Sequence, residues 1–156
     1  MDVIRKNSVS IVKCALLAAM LLAAAPVLAD TVEVRAYLIS CHDGDTCDFD
    51  LESYHVLLGT FVIRAQRVRL DGLDTPEMDG DCKSERDSAA KAQQKLEGLL
   101  KSAVLITVRI NTAKPKEKYG RWLGVVLADG RDVAAELINA GLARPYSGGK
   151  RAGWCG

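Results

Sequence analysis

Residues 61–102 read FVIRAQRVRLDGLDTPEMDGDCKSERDSAAKAQQKLEGLLKS, and the change of period inside this stretch decides the fold class. Residues 61–70 alternate, with Ile63, Ala65, Arg67 and Arg69 on one face and Val62, Arg64, Gln66, Val68 and Leu70 on the other. That is the period of a strand. Residues 71–83 hold Gly72, Pro76, Gly80 and five acids, and read as a loop. Ser84 stands as an N-cap with Asp87 three residues on, a variant of the capping box. Ala89, Ala92, Leu96, Leu99, Leu100 and Ala103 then fall on one helical face, which predicts a helix over residues 85–102.

Upstream, residues 32–40 mix β-branched and polar side chains and read as a strand. Asp43-Gly44 is a hairpin turn signal, with residues 46–51 as the partner strand. Residues 52–60 form a polar, glycine-containing connection whose Tyr54 to Leu58 can extend either neighbouring strand. Downstream, residues 104–110 and 121–128 read as strands separated by a lysine-rich loop, and Asp129-Gly130 turns the chain. Asp132 can cap a short helix bearing Val133, Leu137 and Ile138, with Gly141 at its C′ position. Residues 142–156 contain Pro145 and four glycines together with Trp154 and Cys155, and should be irregular but tied down. Three strands, a helix, two strands and a helix predict an α+β, mainly β domain. The expected architecture is a five-stranded Greek-key barrel of the OB type with two helices, a fold whose usual ligands are oligonucleotides and oligosaccharides.

Composition bounds the rest. The chain has 156 residues, 49% apolar and 26% charged, which describes one globular domain and excludes a disordered tail or a solenoid. Residues 1–13 carry a net charge of +2, and residues 14–29 carry none and end Val27-Leu28-Ala29. A basic start, a short apolar stretch and small residues before Asp30 predict a secretory signal over residues 1–29, cleaved after Ala29. The run is Ala-rich and interrupted by Pro26, against the roughly 18 unbroken apolar residues that a membrane span requires. An exported protein, secreted or periplasmic, is therefore expected, with no membrane contact after cleavage. The expected domain is residues 30–156, which hold 18 basic and 19 acidic residues. Their net charge of −1 excludes a globally basic nucleic-acid binder working by counterion release.

Cys41, Cys47, Cys82 and Cys155 make an even count in an exported domain and suggest two disulfides, with three possible connectivities. Zinc spacing is absent from the cysteines, and His42 and His55 complete no ligand pattern. Cys41 with Cys47 would face across the first hairpin, and Cys82 with Cys155 would fasten the tail to the loop after Glu77.

Three segments carry the chemistry: Asp43-Gly44-Asp45-Thr46, Arg69-Leu70-Asp71-Gly72-Leu73-Asp74-Thr75-Pro76-Glu77, and Lys118-Tyr119-Gly120-Arg121. Each alone is an ordinary turn or loop. Gly44 in second place and no glycine in sixth also exclude an EF-hand over residues 43–52. In their order and placement the three resemble the thermonuclease, or staphylococcal nuclease-like, family of secreted calcium-dependent nucleases. The resemblance covers about residues 34–146.

It implies that Asp45, Asp74 and the Thr75 carbonyl hold one Ca²⁺, that Arg69, Glu77 and Arg121 are catalytic, and that Lys118, Tyr119 and Tyr146 meet the substrate. Tyr146 is a near match only, because the family's type member continues into a third helix there, and the segment between Asp45 and Arg69 is longer than in that member. The implied activity is hydrolysis of DNA and/or RNA to 3′-phosphate ends. Hard oxygen ligands suit Ca²⁺, and paired guanidiniums suit a phosphate gaining charge. The alternative is a non-catalytic OB-fold nucleic-acid-binding module. Degenerate copies of that kind lack acids or arginines, whereas Asp45, Arg69, Asp74, Glu77 and Arg121 all stand in this chain. No protein partner is indicated, so a monomer is expected.

Overall fold

The computed structural model describes residues 30–113, 116–117 and 119–155. The stretch read as a signal, residues 1–29, and Lys118 lie outside the described residues. Strands β1 (Thr31–Cys41), β2 (Thr46–His55), β3 (Gly59–Leu70), β5 (Ile106–Asn111) and β6 (Trp122–Ala128) form one antiparallel series in the order β3-β2-β1-β5-β6. The series closes on itself because β3 also pairs with β6 in parallel, through Val68↔Trp122, Arg69↔Leu123 and Leu70↔Gly124. The result is the five-stranded OB-type barrel. Gly124 sits at the closure for a steric reason: a Cβ there would lie 3.1 Å from Val108 Cγ1 and 3.2 Å from the Arg109 carbonyl.

Three two-residue strands complete the chain: β4 (Leu73–Asp74), β7 (Arg131–Asp132) and β8 (Arg144–Pro145). Phe49, Leu51, Val68, Leu70, Val108 and Val126 fill the barrel. Helix α1 (Lys83–Ser102) buries Ala89, Ala92, Leu96 and Leu100, spaced three and four apart on one face. Burying each of Leu96 and Leu100 contributes roughly 1.5–3 kcal/mol. Helix α2 (Val133–Asn139) starts on Asp132, whose carboxylate accepts from Ala134 N at 2.8 Å. It ends in a Schellman arrangement, with Gly141 at φ +70° and Leu142 N bonded to Leu137 O at 3.0 Å.

The structure corrects the sequence reading in four places. Helix α1 begins at Lys83 after an extended Cys82, so Ser84 is not its cap. The Ser84 hydroxyl donates to Cys82 Sγ at 3.2 Å, and Asp87 pairs with Lys83 instead of closing a capping box. The connection over residues 52–60 is mostly strand, since β2 and β3 run on into a hairpin arm turned at residues 56–58. The single alternation expected along residues 61–70 breaks at Ala65, which has φ +49° in a bulge opposite Asp50. Asp50 holds that bulge by accepting from Ala65 N at 3.0 Å and Arg64 at 2.5 Å. Finally, Gly44 serves close packing and not a tight two-residue turn, because Cys41 pairs with Cys47 across a longer loop.

Both expected disulfides are present. Cys41–Cys47 joins register partners 3.9 Å apart at Cα, and Cys82–Cys155 spans 5.9 Å. The tail is tied down as expected. Strand β8 pairs with β4, and Tyr146 N bonds to Gly72 O at 3.0 Å. No helix among the described residues is long and apolar enough to cross a membrane.

Candidate functional site

The first acidic loop connects β1 to β2. Asp45 N bonds to Asp43 Oδ1 at 2.9 Å, and the Asp45 carbonyl accepts from Leu70 N at 2.8 Å, which fixes the loop to the end of β3. The Asp45 carboxylate is buried at 2% exposure. Its Oδ1 accepts from Arg69 at 2.7 Å and from the Thr46 hydroxyl at 2.8 Å. Arg121, at the entry to β6, donates to the same Thr46 hydroxyl at 3.3 Å. Barrel closure is what brings the two arginines together, since Arg69 stands on β3 beside the start of β6.

The second acidic loop follows the turn at Gly72, whose φ of +85° suits only glycine. Strand β4 buries Leu73 and Asp74, and Thr75 is buried next to them. Gly44 joins this loop to the first. A Cβ on it would come within 3.0 Å of Thr75 Cγ2 and 2.7 Å of Ala92 Cβ, so the backbone bearing Asp45 lies directly against Thr75 and helix α1. Glu77 starts a turn in which Gly80 N bonds to its carbonyl at 3.0 Å. That turn rests on the buried Glu85, whose Oε1 accepts from Glu77 N at 3.4 Å. The Glu77 side chain is 41% exposed.

Charge is unevenly matched here. Burial, and then the neighbouring Asp43 carboxylate, push the Asp45 carboxyl up to about 6 despite Arg69 beside it. Two buried carboxylates with the Thr75 carbonyl offer the hard oxygen donors that a calcium ion takes. The donor set therefore fits that cation. Cys82, Glu85 and Cys155 also cluster, but both cysteines are in the disulfide and offer no thiolate.

Arg121 is gripped by Glu117 through Nε and by a second bond at 2.9 Å, and its guanidinium lies 5.1 Å from the Tyr119 ring centroid. The Glu117 bonds and charge raise the Arg121 pKa. Tyr119 itself is 67% exposed. Tyr146 N bonds to Gly72 O beside the second acidic loop, and its hydroxyl donates to Gly149 O at 2.7 Å within the tail.

Two neighbours of Asp74 escaped the sequence reading. Arg151 reaches Asp74 and Glu77 and donates to the Thr75 carbonyl at 3.0 Å, and Trp154 Nε1 donates to Asp74 Oδ2 at 3.2 Å. Burial works against the Arg151 charge, but Glu77 and Asp74 outweigh it and raise its pKa. The expected bridge was the usable signal, because Cys155 stands four residues after Arg151 and Cys82 five after Glu77.

The family model described as staphylococcal nuclease homologue matches residues 67–152, more than half of the chain. The match takes in Arg69, Asp74, Thr75, Glu77, Arg121 and Arg151, while Asp45 precedes it. A comparison with curated proteins finds no match.

Proposed function

Because this chain belongs to the staphylococcal nuclease homologue family, we propose that it is an exported, calcium-dependent nuclease that hydrolyses DNA and/or RNA to 3′-phosphate ends. One observation carries the reading. The buried Asp45 carboxylate bonds to Arg69, Arg121 donates to the neighbouring Thr46 hydroxyl, and Gly44 packs that loop against Thr75, which follows the buried Asp74. Asp45, Asp74 and the Thr75 carbonyl would hold the ion.

When bound, calcium supplies positive charge at the scissile phosphate and favours the ionised form of nearby water. The rest falls to the chain's own groups. Arg69 and Arg121 present planar forks to the equatorial phosphate oxygens, whose charge grows as phosphorus becomes five-coordinate. Asp45 and Glu117 hold those forks in place before substrate arrives, which lowers the cost of ordering them. Glu77 is exposed enough to meet a water molecule, orient it and take its proton. The water oxygen bonds to phosphorus, the bond to the 5′-oxygen breaks, and that oxygen takes a proton from solvent and leaves as a 5′-hydroxyl. The stacked Tyr119 ring offers an exposed face to a base.

Incubation of single- and double-stranded DNA and RNA with the protein, in calcium or in chelator, tests the proposal. Cleavage in calcium alone, with 3′-phosphate and 5′-hydroxyl ends on end-labelling, is expected. Binding without cleavage would favour the OB-fold binding module, and 5′-phosphate ends would reverse the cleavage polarity. N-terminal sequencing of the exported protein should begin at about Asp30, and a full-length chain in the membrane fraction would contradict the signal.

A further inference from the structure

The tail carries a cation into the candidate site that the catalytic scheme does not use. Arg151 Nε meets Asp74 Oδ1, one Nη meets Glu77 Oε1, and the other donates to the Thr75 carbonyl at 3.0 Å. Its planar fork thus covers oxygens of all three groups assigned to this half of the site. The segment that bears it is anchored on both sides. Before it, β8 pairs with β4 and Tyr146 N bonds to Gly72 O at 3.0 Å. After it, Cys155 is bonded to Cys82, and Trp154 is clamped between Asp74 and the Arg144 guanidinium, which stacks on its ring at 3.6 Å. Gly148 and Gly149, at φ +104° and +97°, bend the strap between these anchors.

We infer that Arg151 is a resident counter-cation that competes with the divalent ion for Asp74 and the Thr75 carbonyl, and so sets the metal affinity of the site. The inference rests on the reading of Asp45, Asp74 and Thr75 as metal ligands. Arg151 spans Asp74 Oδ1 and the Thr75 carbonyl, so an ion bound to both oxygens would sit against the guanidinium, and repulsion between the two positive charges makes them compete for the place. Asp74 is buried, and without the ion its charge requires a partner, which Arg151 supplies. When the ion enters, Arg151 swings aside while the disulfide and β8 keep the strap close.

Calorimetric titration with calcium of the wild type, Arg151→Ala and Lys150→Ala tests this. Arg151→Ala should bind calcium about tenfold more tightly, the scale for displacing a forked but partly exposed ion pair. Lys150→Ala removes one charge from the neighbouring exposed residue and should stay within about twofold of wild type, since an exposed charge is screened. Arg151→Ala should also lower the melting temperature without metal and recover it at saturating calcium. A loss that persists in saturating calcium would mean a merely structural residue and would overturn the inference.

Equal tightening in both variants, or no tightening in Arg151→Ala, would overturn it too. If neither wild type nor Arg151→Ala binds calcium, the calcium reading fails and takes the inference with it. If wild type binds and Arg151→Ala is no tighter, the inference alone fails. Should Arg151→Ala not fold, the wild type decides by nuclear magnetic resonance. The Arg151 Nε–H signal should be protected from exchange without calcium and lose that protection with it, and a signal unmoved by calcium binding would refute displacement.

Discussion

Gly44→Ala strikes the joint between the two acidic loops. A Cβ at this position would lie 2.7 Å from Ala92 Cβ and 3.0 and 3.1 Å from Thr75 Cγ2 and Cβ. Carbon atoms settle at about 3.5–4.0 Å, so the contacts must open by roughly 0.5–1 Å. Neither neighbour can yield by itself: Ala92 is fixed to a buried turn of α1, and Thr75 is a buried β-branched residue. Overpacking of this kind costs about 1–3 kcal/mol, and the upper part of that range is expected because no flexible side-chain end is involved. The same shift carries Asp45 away from the Thr75 carbonyl, so calcium affinity should fall by about tenfold or more.

Ala92→Gly removes the nearest atom. By itself it costs about 1 kcal/mol through helix propensity. Combined with Gly44→Ala it should lose less than the two single changes added, with a coupling of about 1 kcal/mol or more. Urea unfolding measures the stabilities, and calorimetry measures the calcium affinity. A Gly44→Ala protein within about 0.5 kcal/mol of wild type, with unchanged calcium affinity, would refute the close approach of the loops.

Arg121→Lys keeps the charge and loses the fork, so cleavage should slow about a hundredfold or more while calorimetry finds calcium affinity nearly unchanged. A rate within about threefold of wild type would remove Arg121 from the catalytic scheme. The pair Cys82→Ser with Cys155→Ser opens a cross-link of sequence separation 73, worth up to about 4 kcal/mol in chain entropy. Urea unfolding should show a smaller loss than that ceiling if β8 still docks on β4, and no loss would contradict the tether. Arg67 and then His42 hold the Asp48 carboxyl below the usual carboxylate range. Its contribution is therefore full above the unfolded value near pH 4 and fades as pH falls through the lowered one. Asp48→Asn should cost about 1 kcal/mol at pH 7 and nothing near pH 2, and equal losses at both would refute the assignment.

Much of the fold was legible because local period and local chemistry agreed. The face of α1, the Asp132 cap and the Gly141 stop depend on near neighbours, and the structure keeps all three. Ser84 misled because its disulfide neighbour, and not the helix, takes its hydroxyl. Asp-Gly looked like a hairpin turn, whereas what fixes Gly44 is Ala92 and Thr75, partners that no local pattern names. The acids and arginines of the candidate site were picked out by resemblance, because three short segments that are ordinary turns and loops alone stand together in a family's order. Arg151 was not, since a lone arginine in a glycine-rich tail gains meaning only when the Cys155 bridge and β8 bring it back to Asp74.

The parallel seam between β3 and β6 also sets an order of events in time. Val68 and Trp122 are remote along the chain, so pairing them must overcome a large loop-closure entropy, whereas the β2–β3 hairpin and α1 form from near neighbours. Arg69 and Arg121 belong to opposite lips of that seam. A chain refolding from urea should regain its helical ellipticity first and its paired guanidiniums last. Catalytic competence would then mark the end of folding, and a half-folded copy would carry both arginines yet hold them apart.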